Sequence, residues 1–383
     1  MFKKSLIRMS KKILSCLIYL IPKDKEKIIF KSRPDFSGNA KALSDYIQKN
    51  HKNYKIVWFV EAQNYTATSG VRLFKAGTLS ALWQYATAKY IVTTHNEMIG
   101  TKSGNQIYIS LWHGMPLKKI CYLGEFDHQG MEDYSSYRIA TSEVMRAIIA
   151  ACFREKANKV YITGQPRNDF LYDQAAAKKG LKFLASGKRK IFYVPTFREN
   201  QEANEYSDGE SIENNNFFRV KDFDLTALNL FLQENNCQLF IKLHPYEENI
   251  YLDLQLSENI RIIKSDELRN NGLDINHLLA HMDMLITDYS SVYFDYMLLD
   301  KPICFLTPDL DAYSKSRGGF TLEPVDYWMP GYHCSTQSEL LNEIETLLAG
   351  NDRYAGHRSS INAIINQFKD DRNSERVFKQ FFQ

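Results

Sequence analysis

Two histidines stand in short motifs whose residue types suit proton transfer beside a phosphate. His113 lies in the run SLWHGMPLKK and is followed by Gly114, while His244 lies in LFIKLHPYEE and is followed by Pro245. An imidazole has an ordinary pKa of about 6.5, so it can take a hydroxyl proton near neutral pH. Glycine allows a backbone to approach a ligand closely. Proline disfavours helix for the residue before it and sets a turn. Each histidine closes an apolar run, QIYISLW or LFIKL, so each is expected at the C-terminal end of a strand. Lys242, two residues before His244, projects to the same side of its strand. Lys118 and Lys119 follow His113 as cations suited to phosphate. Read alone, a histidine in such a run is more often an ordinary hydrogen-bonded structural residue.

A third segment, LITDYSSVYFDYMLLDKPICFL, reads as strand, tight turn, helix, strand. Asp288, Ser290 and Ser291 fall in the turn, where either serine can cap the helix. Serine hydroxyls and the first-turn N–H groups suit an anion such as a diphosphate, although a plain cap serving only the fold explains them too. Arg167 in TGQPRND, Thr196 and Arg198 in YVPTFRE, and Arg317 in AYSKSRGGF each follow an apolar run at a turn. Three arginines beside a serine-rich helix start fit a substrate with several negative charges. Asp222-Phe223-Asp224 and Asp309-Leu310-Asp311 have a spacing that could hold a divalent cation, but such matches are common by chance. No cofactor is required by this pattern, and no metal ligands are assigned. Neither a P-loop nor the G-x-G-x-x-G fingerprint occurs. The remaining histidines, His95 among them, form no ligand cluster in sequence.

These side chains need elements to carry them. The 383 residues suit two domains rather than one. Near-continuous apolar runs such as YKIVWFV are expected of strands buried on both faces of a parallel sheet. They alternate with helix-like segments, and the grammar restarts after about residue 185. The expected fold is α/β: two doubly wound Rossmann-like domains, 29–175 and 185–383, facing a central cleft. Ligands bind such sheets at the C-terminal strand ends. The boundary is expected between Asp173 and Lys188. The Asn/Glu-rich segment 200–216 reads as an exposed loop able to close over a site. Residues 1–28 carry eight lysines and arginines against Asp24 and Glu26. Their apolar centre, Ile13 to Ile21, is about half the ~20 residues that span a bilayer. They read as a basic amphipathic helix on an anionic membrane surface, or as an ordinary first helix with a solvated face. Six scattered cysteines without a C-x-x-C pair indicate a reducing, cytosolic compartment. A net charge of +3 gives no support to nucleic-acid binding.

The motifs WHGMPLKK, TGQPRND, VPTFRE, KLHP, TDYSSVYFDYMLLDKPI and YSKSRGG occur here in the order seen in CDP-glycerol glycerophosphotransferases, the teichoic-acid glycerol-phosphate transferases. The chain resembles that family over roughly residues 30–335. The resemblance implies a GT-B architecture, a peripheral location on the cytoplasmic face of the bacterial membrane, and a CDP-activated alditol phosphate as donor. It also implies that His113 and His244 are essential. The expected reaction passes glycerol phosphate from CDP-glycerol to a lipid-linked saccharide or surface polymer of teichoic-acid or capsule type. His113 is assigned as general base and His244 as the phosphate or leaving-group partner, with the reverse assignment open. Gly114, Lys118, Arg167, Thr196, Arg198, Lys242, Asp288, Ser290, Ser291 and Arg317 are the expected substrate-binding residues. By size the chain resembles the short members that add a first unit. CDP-ribitol or a nucleotide sugar as donor, and a non-catalytic polysaccharide-binding protein, are the competing readings.

Overall fold

Seven parallel strands form the first sheet. They are β1 (Asp24–Lys31), β2 (Lys55–Val60), β3 (Val71–Lys75), β4 (Ala88–Thr93), β5 (Ile107–Ser110), β6 (Tyr137–Ala140) and β7 (Val160–Ile162), ordered β3-β2-β1-β4-β5-β6-β7. Six parallel strands form the second: β8 (Arg189–Val194), β9 (Cys237–Ile241), β10 (Ile260–Ile262), β11 (Met284–Thr287), β12 (Ile303–Leu306) and β13 (Tyr332–Cys334), ordered β10-β9-β8-β11-β12-β13. The computed structural model describes residues 2–61, 70–124, 131, 134–173, 184, 187–197, 216–244, 247–248 and 256–383.

The apolar runs dictate this arrangement. Side chains alternate across a strand, so Ile28 and Phe30 join one core cluster with Trp58 and Val92, while Ile29 joins another with Val57 and Ile91. Helices cover both faces. α2 (Gly38–Asn50) adds Ala40, Leu43 and Ile47 to the first cluster, and α3 (Leu79–Thr87) adds Ala81 and Tyr85 to the second. The basic N-terminal segment is helical over α1 (Phe2–Tyr19). Ile18 buries against the second cluster, and Ser15 Oγ donates to the Lys102 carbonyl at 2.7 Å. Leu6, Met9, Ile13 and Leu17 of the same helix remain exposed. Among the described residues no helix is long and apolar enough to cross a membrane.

The chain folds into two compact units, Met1–Met115 with Glu132–Asp169 and Asp370–Gln383, and Pro116–Met131 with Phe170–Lys369. This differs from a single crossing between 175 and 185. The final helix, Asn373–Phe382, buries Val377, Phe378 and Phe382 in the first unit's core. The segment after Met115 pairs with the second unit instead: Lys118 bridges Phe320, and Lys119 N donates to Gly319 O at 3.2 Å.

Candidate active site

In the first unit the order of strands reverses between β1 and β4, which are neighbours in the sheet. Chains leave such a point in opposite directions and open a crevice at the C-terminal strand ends. Arg33 follows β1, His95 follows β4 and His113 follows β5. After β5 the chain makes an abrupt bend, with Trp112 in the left-handed region at φ 55° and Gly114 at φ 147°. A bulky residue held there costs about 1–3 kcal/mol and persists only where its surroundings fix it. Buried Asn39, at the start of α2, is one such restraint. Its Nδ2 donates to the carbonyls of Leu111 and Trp112, and its Oδ1 accepts from Arg167 N. Arg167 Nη1 in turn donates to the His113 carbonyl at 2.8 Å. Arg167 therefore grips the histidine loop itself.

The His113 ring is exposed to solvent at this edge. Its Nδ1 lies 3.3 Å from the Thr94 carbonyl. A carbonyl only accepts, so that contact calls for a proton on Nδ1, and in the neutral ring the lone pair is then on Nε2. His95 stacks on the ring at a centroid distance of 4.2 Å, and Trp112 lies tilted beside it at 4.1 Å. Below them, buried Arg138 donates to Asn96 Oδ1 and Ser110 Oγ and lies on the Phe153 face.

In the second unit the corresponding reversal falls between β8 and β11. Thr196 follows β8, and Asp288 follows β11. Thr196 donates to Asp288 Oδ1 through both N and Oγ1, each at 2.8 Å, and Ser290 N reaches the same oxygen at 3.2 Å. Buried Asp288 is thus a clasp across the switch point. Ser291 occupies the cap of the helix Val292–Tyr296, but its side chain makes no capping hydrogen bond, and both serines stay half-exposed.

His244 follows β9 and packs on Phe197, ring centroids 4.6 Å apart. Burial, then the nearby cations Lys242 and Lys118, lower its pKa to about 4. The Lys242 ammonium is buried and donates to Leu243 O, Ser265 Oγ and Glu248, with which it forms a local ion pair. Lys118 belongs to this unit, with Nζ 5.7 Å from the Tyr313 ring centroid. The helix Leu310–Arg317 ends at Arg317, and Gly318 and Gly319 follow at φ 71° and 92°. At Gly319 an added Cβ would lie 3.2 Å from Lys119 Nζ, so the glycine pair lets the Lys118 segment lie close. Arg198 and the 200–215 part of the expected loop lie outside the described residues.

The D-x-D pairs hold the fold. Asp222 accepts from Gln337 N and Ser338 N at the start of the helix Gln337–Leu348, and Asp224 caps the helix Leu225–Glu234. Asp309 accepts from Tyr289 OH. Sequence reasoning missed Asn39, Arg33, Arg138 and His95. Only His95 carried a readable signal: it closes AKYIVTTH as His113 and His244 close their own apolar runs.

A family profile described as CDP-Glycerol:Poly(glycerophosphate) glycerophosphotransferase matches residues 13–383. The teichoic acid poly(glycerol phosphate) polymerase of Bacillus spizizenii is 31% identical over 359 residues, covering 86% of this chain and 85% of that protein. The teichoic acid poly(ribitol-phosphate) polymerase of the same organism is 29% identical over 386 residues, 94% of this chain and 57% of that one. The chain spans about half the length of two further poly(glycerol phosphate) polymerases. A solved structure of the wall teichoic acid polymerase TagF, a variant soaked with CDPG, shares the fold. Its TM-score is 0.79 at 24% identity over 99% of this chain and 96% of that one. Because a polymerase of similar span is among these relatives, size does not separate a first-unit transferase from a polymerase.

Proposed function

The chain belongs to the CDP-glycerol:poly(glycerophosphate) glycerophosphotransferase family, and from that we propose that it moves glycerol phosphate from CDP-glycerol to a hydroxyl of a lipid-linked saccharide or growing teichoic-type polymer, releasing CMP. The observation that carries the mechanism is the His113 ring, exposed at the end of β5 with Nδ1 on the Thr94 carbonyl and Nε2 left basic.

The acceptor oxygen bonds to the phosphorus nearest the glycerol while the bond from that phosphorus to the CMP oxygen breaks. The hydroxyl proton passes to His113 Nε2, and CMP leaves as the anion. Phosphoryl transfer asks mainly for positioning and charge neutralisation. His244, kept neutral by burial and adjacent cations, suits a hydrogen bond to the donor phosphate. Lys118, Ser290 and Ser291 would supply further donors, with Arg198 and Arg317 adding positive charge. Buried Gly114 at φ 147° makes the bend that carries the base, while Asn39 and Arg167 hold that loop.

A lipid-linked acceptor requires the enzyme at a membrane. We place α1 there, on the cytoplasmic face: its Leu6, Met9, Ile13 and Leu17 are exposed, as are Leu79 and Trp83 of α3, and exposed Arg8 and Lys12 suit anionic headgroups.

The test is CMP release by purified protein with CDP-glycerol and candidate acceptors. His113→Ala is expected to lower turnover by about 10² or more. Full release by both His113→Ala and His244→Ala, each folded by circular dichroism, would reject these roles. The similarity to a ribitol-phosphate polymerase supports a second donor, so CDP-ribitol belongs in the same assay. A preference for it would replace the donor and keep the chemistry.

A further inference from the structure

We infer that His95 is a positioning residue for the transfer: a second imidazole that holds the His113 ring flat and in its Nδ1–H form. This rests on the reading of His113 as the base. Three observations meet at one place. The two rings stack with centroids 4.2 Å apart and planes within 8° of parallel. Thr94, itself buried, ties both: its carbonyl meets His113 Nδ1 at 3.3 Å and its hydroxyl meets His95 Nδ1 at 2.8 Å. His95 also follows β4 at the switch between β1 and β4, where a ligand crevice opens in such sheets.

His95 is fixed in turn. Its backbone N donates to Glu97 Oε2 at 2.9 Å, and Asn96 and Met98 take left-handed conformations that turn the chain back. The Glu97 carboxylate lies beside Arg33 Nε at 3.6 Å and 4.0 Å from His95 Nδ1. Among the described residues, Arg33 pairs with Glu97 beside His95, Arg167 donates to the His113 carbonyl, and Arg138 donates to Asn96 Oδ1. Burial first, then Arg33, lowers the His95 pKa to about 4. At neutral pH the platform is therefore uncharged and does not oppose the charge that His113 gains with the proton. A parallel ring also leaves His113 free to slide little and tilt less, so Nε2 keeps one direction. Trp112, held at positive φ, lies tilted beside the pair, its ring centroid 4.1 Å from that of His113 and 6.0 Å from that of His95.

Two readouts test this in the full-length protein. In steady-state CMP release from CDP-glycerol, His95→Ala is expected to lower kcat by about ten- to a hundredfold, the scale of a misplaced reacting group, while KM for CDP-glycerol changes by less than about twofold. His95→Phe, which restores a flat neutral ring, is expected to recover most of kcat; a simple packing loss would not split kcat from KM in this way. Independently of turnover, the 13C shifts of the His113 ring report its tautomer. The Nδ1–H form is expected to dominate in the wild type and to become mixed in His95→Ala. An unchanged kcat in His95→Ala, or an unchanged His113 tautomer in that variant, overturns the inference. If His113→Ala retains full CMP release, the assignment of the base fails separately, and the tautomer measurement still decides whether His95 orients its neighbour.

Discussion

Burial sets the behaviour of the charged groups around the two sheet edges. His244 and His95 both titrate near 4 in the fold, against about 6.5 for an unfolded histidine. Between those values the unfolded chain binds more protons, so stability rises with pH and falls as pH drops from about 6.5 toward 4. The urea midpoint is accordingly expected to fall between pH 7 and pH 5. His244→Gln, which cannot titrate, should make that fall shallower; an identical pH slope would show that His244 does not contribute. Lys242 and Lys118 illustrate what sequence can and cannot convey about single residues. Both follow the motif logic of a cation beside a histidine. Lys242 is nevertheless claimed by Glu248 and Ser265, six and 23 residues away, and nothing in the local run foretells that. Asn39 is equally hidden, since its partners are 72, 73 and 128 residues distant. The strand-end placement of His113 and His244 was legible because it depends only on apolar runs and the residue that stops them.

Elements were readable where periodicity alone decides them. The buried strands of both parallel sheets follow from continuous apolar runs, and helical structure after residue 338 follows from spacing. Which unit a helix joins does not. The helix Asn373–Phe382 packs against α2, with Phe378 stacked on His51 at a centroid distance of 3.6 Å and Val377, Phe378 and Phe382 in the core. Its first turn is held by Asp169, whose carboxylate accepts from Asn373 N, Asn373 Nδ2 and Ser374 N. Gly164 leaves room for Asn373, because an added Cβ would collide with its side chain. Thus Gly164 and Asp169 of TGQPRND, a motif read for its arginine, serve to seat a helix two hundred residues later. Phe378→Ala is expected to destabilise the first unit by about 3–5 kcal/mol. Asp169→Asn should cost about 1–3 kcal/mol, since an amide would turn a donor toward backbone N–H groups. Urea unfolding followed by fluorescence reads both. A change below about 0.5 kcal/mol in Phe378→Ala would mean that the helix is not an integral part of that unit.

For the whole molecule, two Rossmann-like sheets were expected from the repeated strand–helix grammar. The swapped segments were not, because a chain that leaves a unit and returns has no local mark. Ile18 packs inward as in an ordinary first helix, while Ile13 and Leu17, 54% and 57% exposed, form an outward apolar stripe. If that stripe docks on lipid, Ile13→Glu with Leu17→Glu should lower cosedimentation with phosphatidylglycerol-containing vesicles by about tenfold or more. CMP release to a water-soluble acceptor should be unaffected. Equal cosedimentation of variant and wild type would remove α1 from the membrane reading.

The seating of Phe378 and Phe382 beneath the first sheet also bears on how the polypeptide matures. During translation the second sheet emerges from the ribosome before the last piece of the first sheet's interior exists. The amino-terminal half must therefore wait, with part of its greasy underside uncovered, until synthesis has passed residue 382. Domains usually mature in order as they are made; here the earlier one is finished last.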